Sequence, residues 1–181
     1  MKAIAFAAAA LAILAGCASA ETFVPLPVLG STVLDFDTDA GKYSGWEVAD
    51  LGSVNAVRLT VQVHRLGQDP RWAPTFNVRV SNGDHWAALR LESLDRQAPV
   101  AVVLASGEKD KPAVEAPLSA PLALDTPLEV AIDWTADGKV TIRAGAQAKT
   151  VDLGGAPKSL SFTGSTGEVE FNPLKIGRVT P

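Results

Sequence analysis

Residues 57–64 (VRLTVQVH) decide the fold, because four apolar side chains alternate there with four polar ones. Successive side chains of a β-strand point to opposite faces of a sheet, so this segment predicts a strand with one buried and one solvated face. The same alternation recurs in residues 76–80, 89–92, 128–134, 140–143, 160–162, 169–171 and 174–176. No segment after residue 20 has a helical period, and we therefore predict an all-β domain.

Turn residues occur where these strands would need to reverse. Asn82-Gly83 and Asp137-Gly138 each separate two alternating segments, and both pairs tolerate the positive φ of tight hairpins. Residues 108–127 contain four prolines, which predicts a loop with edge strands. Many short, half-buried strands with hairpin turns predict a two-sheet antiparallel β-sandwich.

Residues 128–145 (LEVAIDWTADGKVTIRAG) resemble the hairpin of concanavalin A-like lectin/glucanase and laminin-G-like domains. Residues 33–41 (VLDFDTDAG) and 162–179 (FTGSTGEVEFNPLKIGRV) are similar to the first and last strands of such jelly rolls. The resemblance implies a jelly-roll sandwich. Domains of this kind include lectins, glycan-binding modules, glucanases and alginate lyases. The resemblance therefore implies a carbohydrate ligand without deciding between binding and catalysis.

The first twenty residues have the pattern of a secretory signal peptide, in which Lys2 precedes an apolar segment and a stretch of small residues. Residues 14–17 (LAGC) resemble a bacterial lipobox that would lipidate Cys17, whereas residues 18–20 (ASA) fit ordinary cleavage after Ala20. We favour lipidation of Cys17. Residues 21–30, with two prolines, are predicted to be a tether, which leaves 31–181 as a single sandwich domain.

The charge and cysteine content of the chain bear on its partners, its disulfides and its location. With 16 Lys and Arg against 20 Asp and Glu, the net charge of −4 argues against nucleic-acid binding. Cys17 is the one cysteine, so the domain forms no internal disulfide. By analogy with Gram-negative lipoproteins, Ala18 after the cysteine favours an outer-membrane anchor. We therefore expect an exported cell-envelope lipoprotein that faces the periplasm or the cell surface, of unknown oligomeric state.

Catalytic and metal motifs are incomplete. The paired-carboxylate E-x-D-x-x-E array of jelly-roll glucanases does not occur. Residues 62–64 (QVH) match one of three alginate lyase motifs, but the other two do not occur and Tyr43, the sole tyrosine, lies at the wrong end. Asp35, Asp37 and Asp39 have the spacing of a calcium loop, yet glycine falls one position late and Trp46 stands where the closing Glu should be. We predict no cofactor, with calcium as the alternative.

Binding remains as the favoured function. Trp72, between two prolines and beside Arg71, and Trp86, just after the Asn82-Gly83 turn, are candidate sugar platforms, while Trp46 and Trp134 are predicted to be core residues. Polar residues of the alternating strands would form a cationic groove for an acidic polysaccharide if those strands are neighbours. The alternatives are loop packing for the tryptophans and a solvated face for the polar residues. The predicted ligand-binding set is Arg58, Gln62, His64, Trp72, Asn77, Arg79, Trp86 and Arg90.

These observations predict a non-catalytic envelope module that binds carbohydrate or polysaccharide. Two alternatives stay open. One is a polysaccharide-degrading lyase or hydrolase, which residues 62–64 support, and the other is an envelope scaffold that binds proteins.

The anchor prediction has a direct test. Because the Cys17 thiol is the attachment point of the lipid, we expect Cys17→Ser to abolish incorporation of radiolabelled palmitate when the chain is expressed in a Gram-negative host. Loss of residues 1–20 from the mature unsubstituted protein, shown by mass spectrometry, would contradict the anchor.

Overall fold

The computed structural model of the protein describes residues 22–26 and 33–180. The predicted signal sequence and Cys17 lie outside these residues. No membrane-spanning helix occurs in the described part of the chain. The described residues form the following strands: β1 (Thr22–Pro25), β2 (Leu34–Val48), β3 (Ala56–Leu66), β4 (Thr75–Ser81), β5 (His85–Glu92), β6 (Ala101–Glu108), β7 (Val114–Pro117), β8 (Leu128–Trp134), β9 (Lys139–Ala144), β10 (Gln147–Asp152) and β11 (Ser159–Thr180).

Strand β11, 22 residues long, belongs to both layers of the sandwich. Its first part, residues 159–165, pairs with β4 and continues through β5 and β6 to β7. Its later part, residues 167–177, pairs with β3 and continues through β8 and β9 to β10. Strand β2 pairs with the other edge of β11 along both parts. Strand β1 pairs with residues 177–180 at the C-terminal end of β11. We call the β4 side the first sheet and the β3 side the second sheet.

The two sheets separate at a bend centred on Thr166. This residue is fully buried and has a φ of 58°, a value that is unusual for a β-branched side chain. Its hydroxyl accepts a hydrogen bond from the Gly41 amide at 3.2 Å, and its carbonyl accepts one from the Gly67 amide at 2.8 Å. The bend in β11 is therefore held by β2 and by the β3–β4 loop together.

One hydrophobic core fills the space between the sheets. The rings of Phe162 and Phe171, one from each part of β11, are both buried and lie 5.4 Å apart in an edge-to-face arrangement. Trp46 packs on Phe162 at 5.7 Å, and Trp134 is buried as the sequence predicts. Aromatic rings thus join the two sheets on either side of the bend.

The all-β sandwich and both predicted hairpins, β4–β5 and β8–β9, are confirmed. The proline-rich segment supplies the short edge strand β7, also as predicted. The three separate strands predicted near the C-terminus are instead one strand, because the register shift between Phe171 and Leu174 accommodates Pro173 without ending β11. Residues 22–25 of the predicted tether pair with β11 and belong to the sheet.

Substitution at Gly67 tests the bend. A Cβ at this position would lie 2.8 Å from the carbonyl oxygen of Thr166, so we expect Gly67→Ala to lower the free energy of unfolding by about 1–3 kcal/mol, as overpacking does. Gly155→Ala is the matched control, because the nearest atom to its Cβ would be 3.8 Å away. Urea unfolding measures both variants. Equal stability of the two would contradict the tight contact.

Candidate functional site

A groove runs along β11 on the outer face of the first sheet. Every second residue of this part of β11 points outward, and all four are small: Ser159, Ser161, Thr163 and Ser165. Larger side chains stand on both sides, with Tyr43 and Glu47 on β2 and Asn77 and Arg79 on β4. Two adjoining clefts of about 460 and 410 Å³, which share Tyr43 and Thr163, make up this groove.

Two exposed aromatic rings, Trp72 and Tyr43, lie at one end of the groove. Trp72 is 47% exposed and Tyr43 is 63% exposed, and both line the same cleft. Large rings are usually buried, so two neighbouring exposed rings in one cleft point to a ligand surface. Flat apolar rings of this kind can pack against the apolar face of a sugar.

The loop that carries Trp72 is fixed by its own hydrogen bonds. The Asp69 carboxylate accepts hydrogen bonds from the backbone amides of Arg71, at 2.8 Å, and Trp72, at 3.1 Å. The Arg96 guanidinium donates to the carbonyls of Asp69, at 2.6 Å, and Pro70, at 3.1 Å. Because the loop is already ordered, little conformational entropy of the loop is lost when a ligand contacts the ring of Trp72.

Arg79 stands farther along the groove, supported by Trp86. The Trp86 ring lies directly over Gly107, where an added Cβ would come within 2.9 Å of it, and the Arg79 guanidinium sits 4.6 Å from the ring centroid. Partial burial of the guanidinium lowers the pKa of Arg79 from its ordinary value, but the group stays charged at neutral pH. Within residues 22–26 and 33–180 it has no hydrogen-bond or ion-pair partner.

Asn77 and Arg90 belong to the same face but are already engaged. Arg90 donates from Nε to Asn77 Oδ1 at 3.0 Å, and Asn77 donates from Nδ2 to Thr163 Oγ1 at 3.1 Å. Arg90 also forms an ion pair with Glu115 on β7. This network spans the first sheet from β11 to β7, so we assign these two residues to the support of the groove wall.

The other three predicted residues, Arg58, Gln62 and His64, lie on β3 in the second sheet. Strands β3 and β4 follow one another along the same edge of β11, on opposite sides of the Thr166 bend, so their outward side chains face different ways. The predicted eight-residue set is therefore divided between two faces. Trp72, Asn77, Arg79, Trp86 and Arg90 are together on one, and the β3 residues are on the other.

The β3 residues have partners within the protein. Arg58 forms an ion pair with Asp133 at 2.6 Å, and Gln62 donates to the Asp125 carbonyl at 2.9 Å. His64 Nδ1 lies 2.7 Å from Asp125 Oδ1, and this hydrogen bond raises the pKa of His64 from its ordinary value. The Asp125 contacts tie the β7–β8 loop to β3, and the Arg58–Asp133 pair ties β8 to β3, so all three residues have a structural role.

The groove contains residues that the sequence prediction missed, namely Tyr43, Glu47 and the hydroxyl row on β11. The alternation of Ser and Thr with core residues in 159–165 was a visible signal for the row. The partnership of β2 with β11 joins residues more than a hundred positions apart, and no local pattern reveals it. Tyr43 and Glu47 could therefore not be placed.

The carboxylates of the two clefts and of the predicted calcium spacing lie apart from one another. Among the described residues that line the two clefts, Glu47 is the one carboxylate, whereas glycoside hydrolysis uses two. Asp37, part of the calcium spacing, is within β2 and forms an ion pair with Arg65. Across the ranges that the structure describes, no three His, Cys, Asp or Glu side chains are grouped to hold a metal ion.

Solved structures with the same fold include a galectin and a carbohydrate binding module as well as a glycosidic hydrolase. A tetrameric galectin from the sponge Cinachyrella sp. matches with a TM-score of 0.53 and 12% identity, over 76% of this chain and 100% of that one. The carbohydrate binding module CBM66 from Bacillus subtilis matches at 0.51 and 10%, over 82% and 96%. The CBM2 module of the evolved Dit protein of Lactobacillus casei BL23 phage J-1 matches at 0.50 and 11%, over 81% and 75%.

These similarities establish a concanavalin A-like jelly-roll fold. At such low identity they establish the fold alone. No protein-family model matches the chain, and no curated protein sequence matches it significantly.

The His64 contacts predict a pH-dependent stability. The hydrogen bond to Asp125 raises the pKa of His64 in the folded protein above 6.5. The stability that protonated His64 contributes is therefore fully present below pH 6.5 and is lost as the pH rises through the folded-state pKa. We expect His64→Gln to lower the urea midpoint more at a pH about one unit below 6.5 than at a pH well above it. The same loss at both pH values would contradict the Asp125 contact.

Proposed function

We propose that this chain is a non-catalytic carbohydrate-binding module that uses the groove on the first sheet. The observation that carries the proposal is the pair of exposed rings, Trp72 and Tyr43, in one cleft that leads to the free guanidinium of Arg79. Stacking surfaces and polar groups in a line are the two elements that sugar recognition requires.

The floor of the groove suits a hydroxyl-rich ligand. Ser159 and Ser161 line the larger cleft, and within the described residues neither side-chain hydroxyl has a hydrogen-bond partner. Such hydroxyls can both donate to and accept from sugar hydroxyls. Small side chains in the floor also leave room for a ring between the two walls.

The length of the groove favours an oligosaccharide over a single sugar. The step from Thr75, beside Trp72, to Arg79 is four strand residues, or about 14 Å at the usual rise of about 3.4 Å per residue. The groove also continues past Arg79 to Ser81. A polysaccharide chain that lies parallel to β11 would contact both ends at once.

The fold is consistent with this function, since a carbohydrate binding module shares it, but a glycosidic hydrolase shares it too, so the groove and not the fold favours binding. The signal sequence and lipobox support a location in the cell envelope, with the module held at the membrane through Cys17. We propose that the protein holds envelope or environmental polysaccharide at the outer membrane.

Substitution of Trp72 tests the proposal. Because stacking on this ring supplies a large part of the contact area, we expect Trp72→Ala to weaken polysaccharide binding at least tenfold, as measured by affinity electrophoresis and a glycan array.

Leu94→Ala is the control for Trp72→Ala, since Leu94 is 72% exposed and belongs to neither cleft. We expect it to bind as the unsubstituted chain does. Circular dichroism would verify that both variants keep the β-sheet spectrum. Retention by no polysaccharide in either assay would exclude the proposed function.

A further inference from the structure

We infer that the groove selects a linear polysaccharide that carries carboxylate groups, and that Arg79 binds one of those carboxylates. This inference rests on the carbohydrate-binding function proposed above. The sugar class is a uronate, and Arg79 is the residue that distinguishes a uronate from a neutral sugar.

Within the described residues Arg79 forms no ion pair with a carboxylate, although the charge of Glu47 acts on it from across the groove. Four other arginines on the outer faces of the sheets each contact a carboxylate of the chain: Arg58, Arg65, Arg90 and Arg143. Acidic side chains outnumber basic ones, 20 to 16, so a partner for Arg79 would be readily supplied if the fold required one. Instead this guanidinium is stacked on Trp86 with its hydrogen-bond donors directed to no described acceptor.

The position of Arg79 opposite Glu47 gives the groove a polarity. Both residues pair with Ser161 of β11, one from each neighbouring strand, so their Cα atoms lie about 10 Å apart at the usual spacing of about 4.8 Å between strands. No ion pair joins them. A sugar ring between them can place a carboxylate on Arg79 and hydroxyls on Glu47. The reverse orientation would bring two carboxylates together and is disfavoured.

The support of Arg79 suits a planar anion. A guanidinium forms two parallel hydrogen bonds with a carboxylate, and these charge-assisted bonds are about twice as strong as neutral ones. Stacking on the Trp86 ring holds the guanidinium in place, so less side-chain entropy is lost when the anion binds.

A second cation lies at the other end of the groove. Arg71 lines the cleft of Trp72, its side chain is 77% exposed, and its ion pair with Asp69 is long, at 3.8 Å. The described cleft lining therefore holds two cations, Arg71 and Arg79, against the single carboxylate of Glu47. On a protein of net charge −4, this excess of positive charge favours a polymer with repeated negative groups.

Matched polysaccharides test the inference with the full chain. The probes are polygalacturonate and alginate, each compared with its carboxyl-reduced form, which keeps the backbone but loses the charge. We expect retardation in affinity electrophoresis by the acidic forms to exceed that by the reduced forms at least tenfold. We expect added NaCl to narrow the difference, because salt screens an exposed ion pair.

Variants assign the effect to Arg79. Arg79→Gln is expected to bind the acidic probes at least tenfold more weakly and the reduced probes unchanged. Arg79→Lys, which keeps the charge but not the paired hydrogen bonds, is expected to fall in between. Arg178→Gln is the control, since Arg178 is an exposed arginine at the far end of β11. It is expected to leave all binding unchanged.

The outcomes separate this inference from the proposed function. Equal binding of acidic and reduced probes would overturn the uronate assignment and leave carbohydrate binding intact. Dextran sulfate bound as tightly as polygalacturonate would show selection by charge alone and would also overturn it. If the chain binds neither these probes nor any neutral polysaccharide, the proposed function itself fails.

Discussion

The positive φ of Thr166, held by hydrogen bonds from Gly41 and Gly67, is the constraint on which the architecture depends. A long strand without this bend would continue within a single layer. With it, β11 leaves one layer and enters the other, and β2 turns alongside it at Gly41. The shared core then forms between the layers. The bend therefore decides which polar side chains share a surface and which face opposite sides.

The groove follows from a contrast in side-chain size across three neighbouring strands. Serine and threonine on β11 form the floor, and aromatic and charged residues on β2 and β4 form the walls. Asn77 and Arg90 satisfy one another across the sheet, and this leaves Arg79, lifted onto Trp86, as the charged group open to a ligand. Rigid support behind a few free groups is how a preformed site gains affinity without new contacts.

Local patterns in the sequence predict most of the strands and some of the residues of the groove. The alternation around Val57 and the Asn82-Gly83 turn predict strands and hairpins correctly, because side-chain burial and turn geometry are local properties. Strand β10, whose side chains are mostly exposed, has no such pattern and was missed. Trp72 was found from its neighbours in the chain. Tyr43 was not found, because its place beside Thr163 depends on a pairing distant in sequence.

We propose that ligands bind on the first sheet and not on the second. Backbone amide NMR during titration with an oligosaccharide of a polysaccharide that the chain retains would locate the binding surface. We predict chemical-shift changes in residues 43–47, 72–79 and 159–165, with little change in β8, β9 and β10. Changes centred on β3 and β8, around Arg58 and His64, would contradict it.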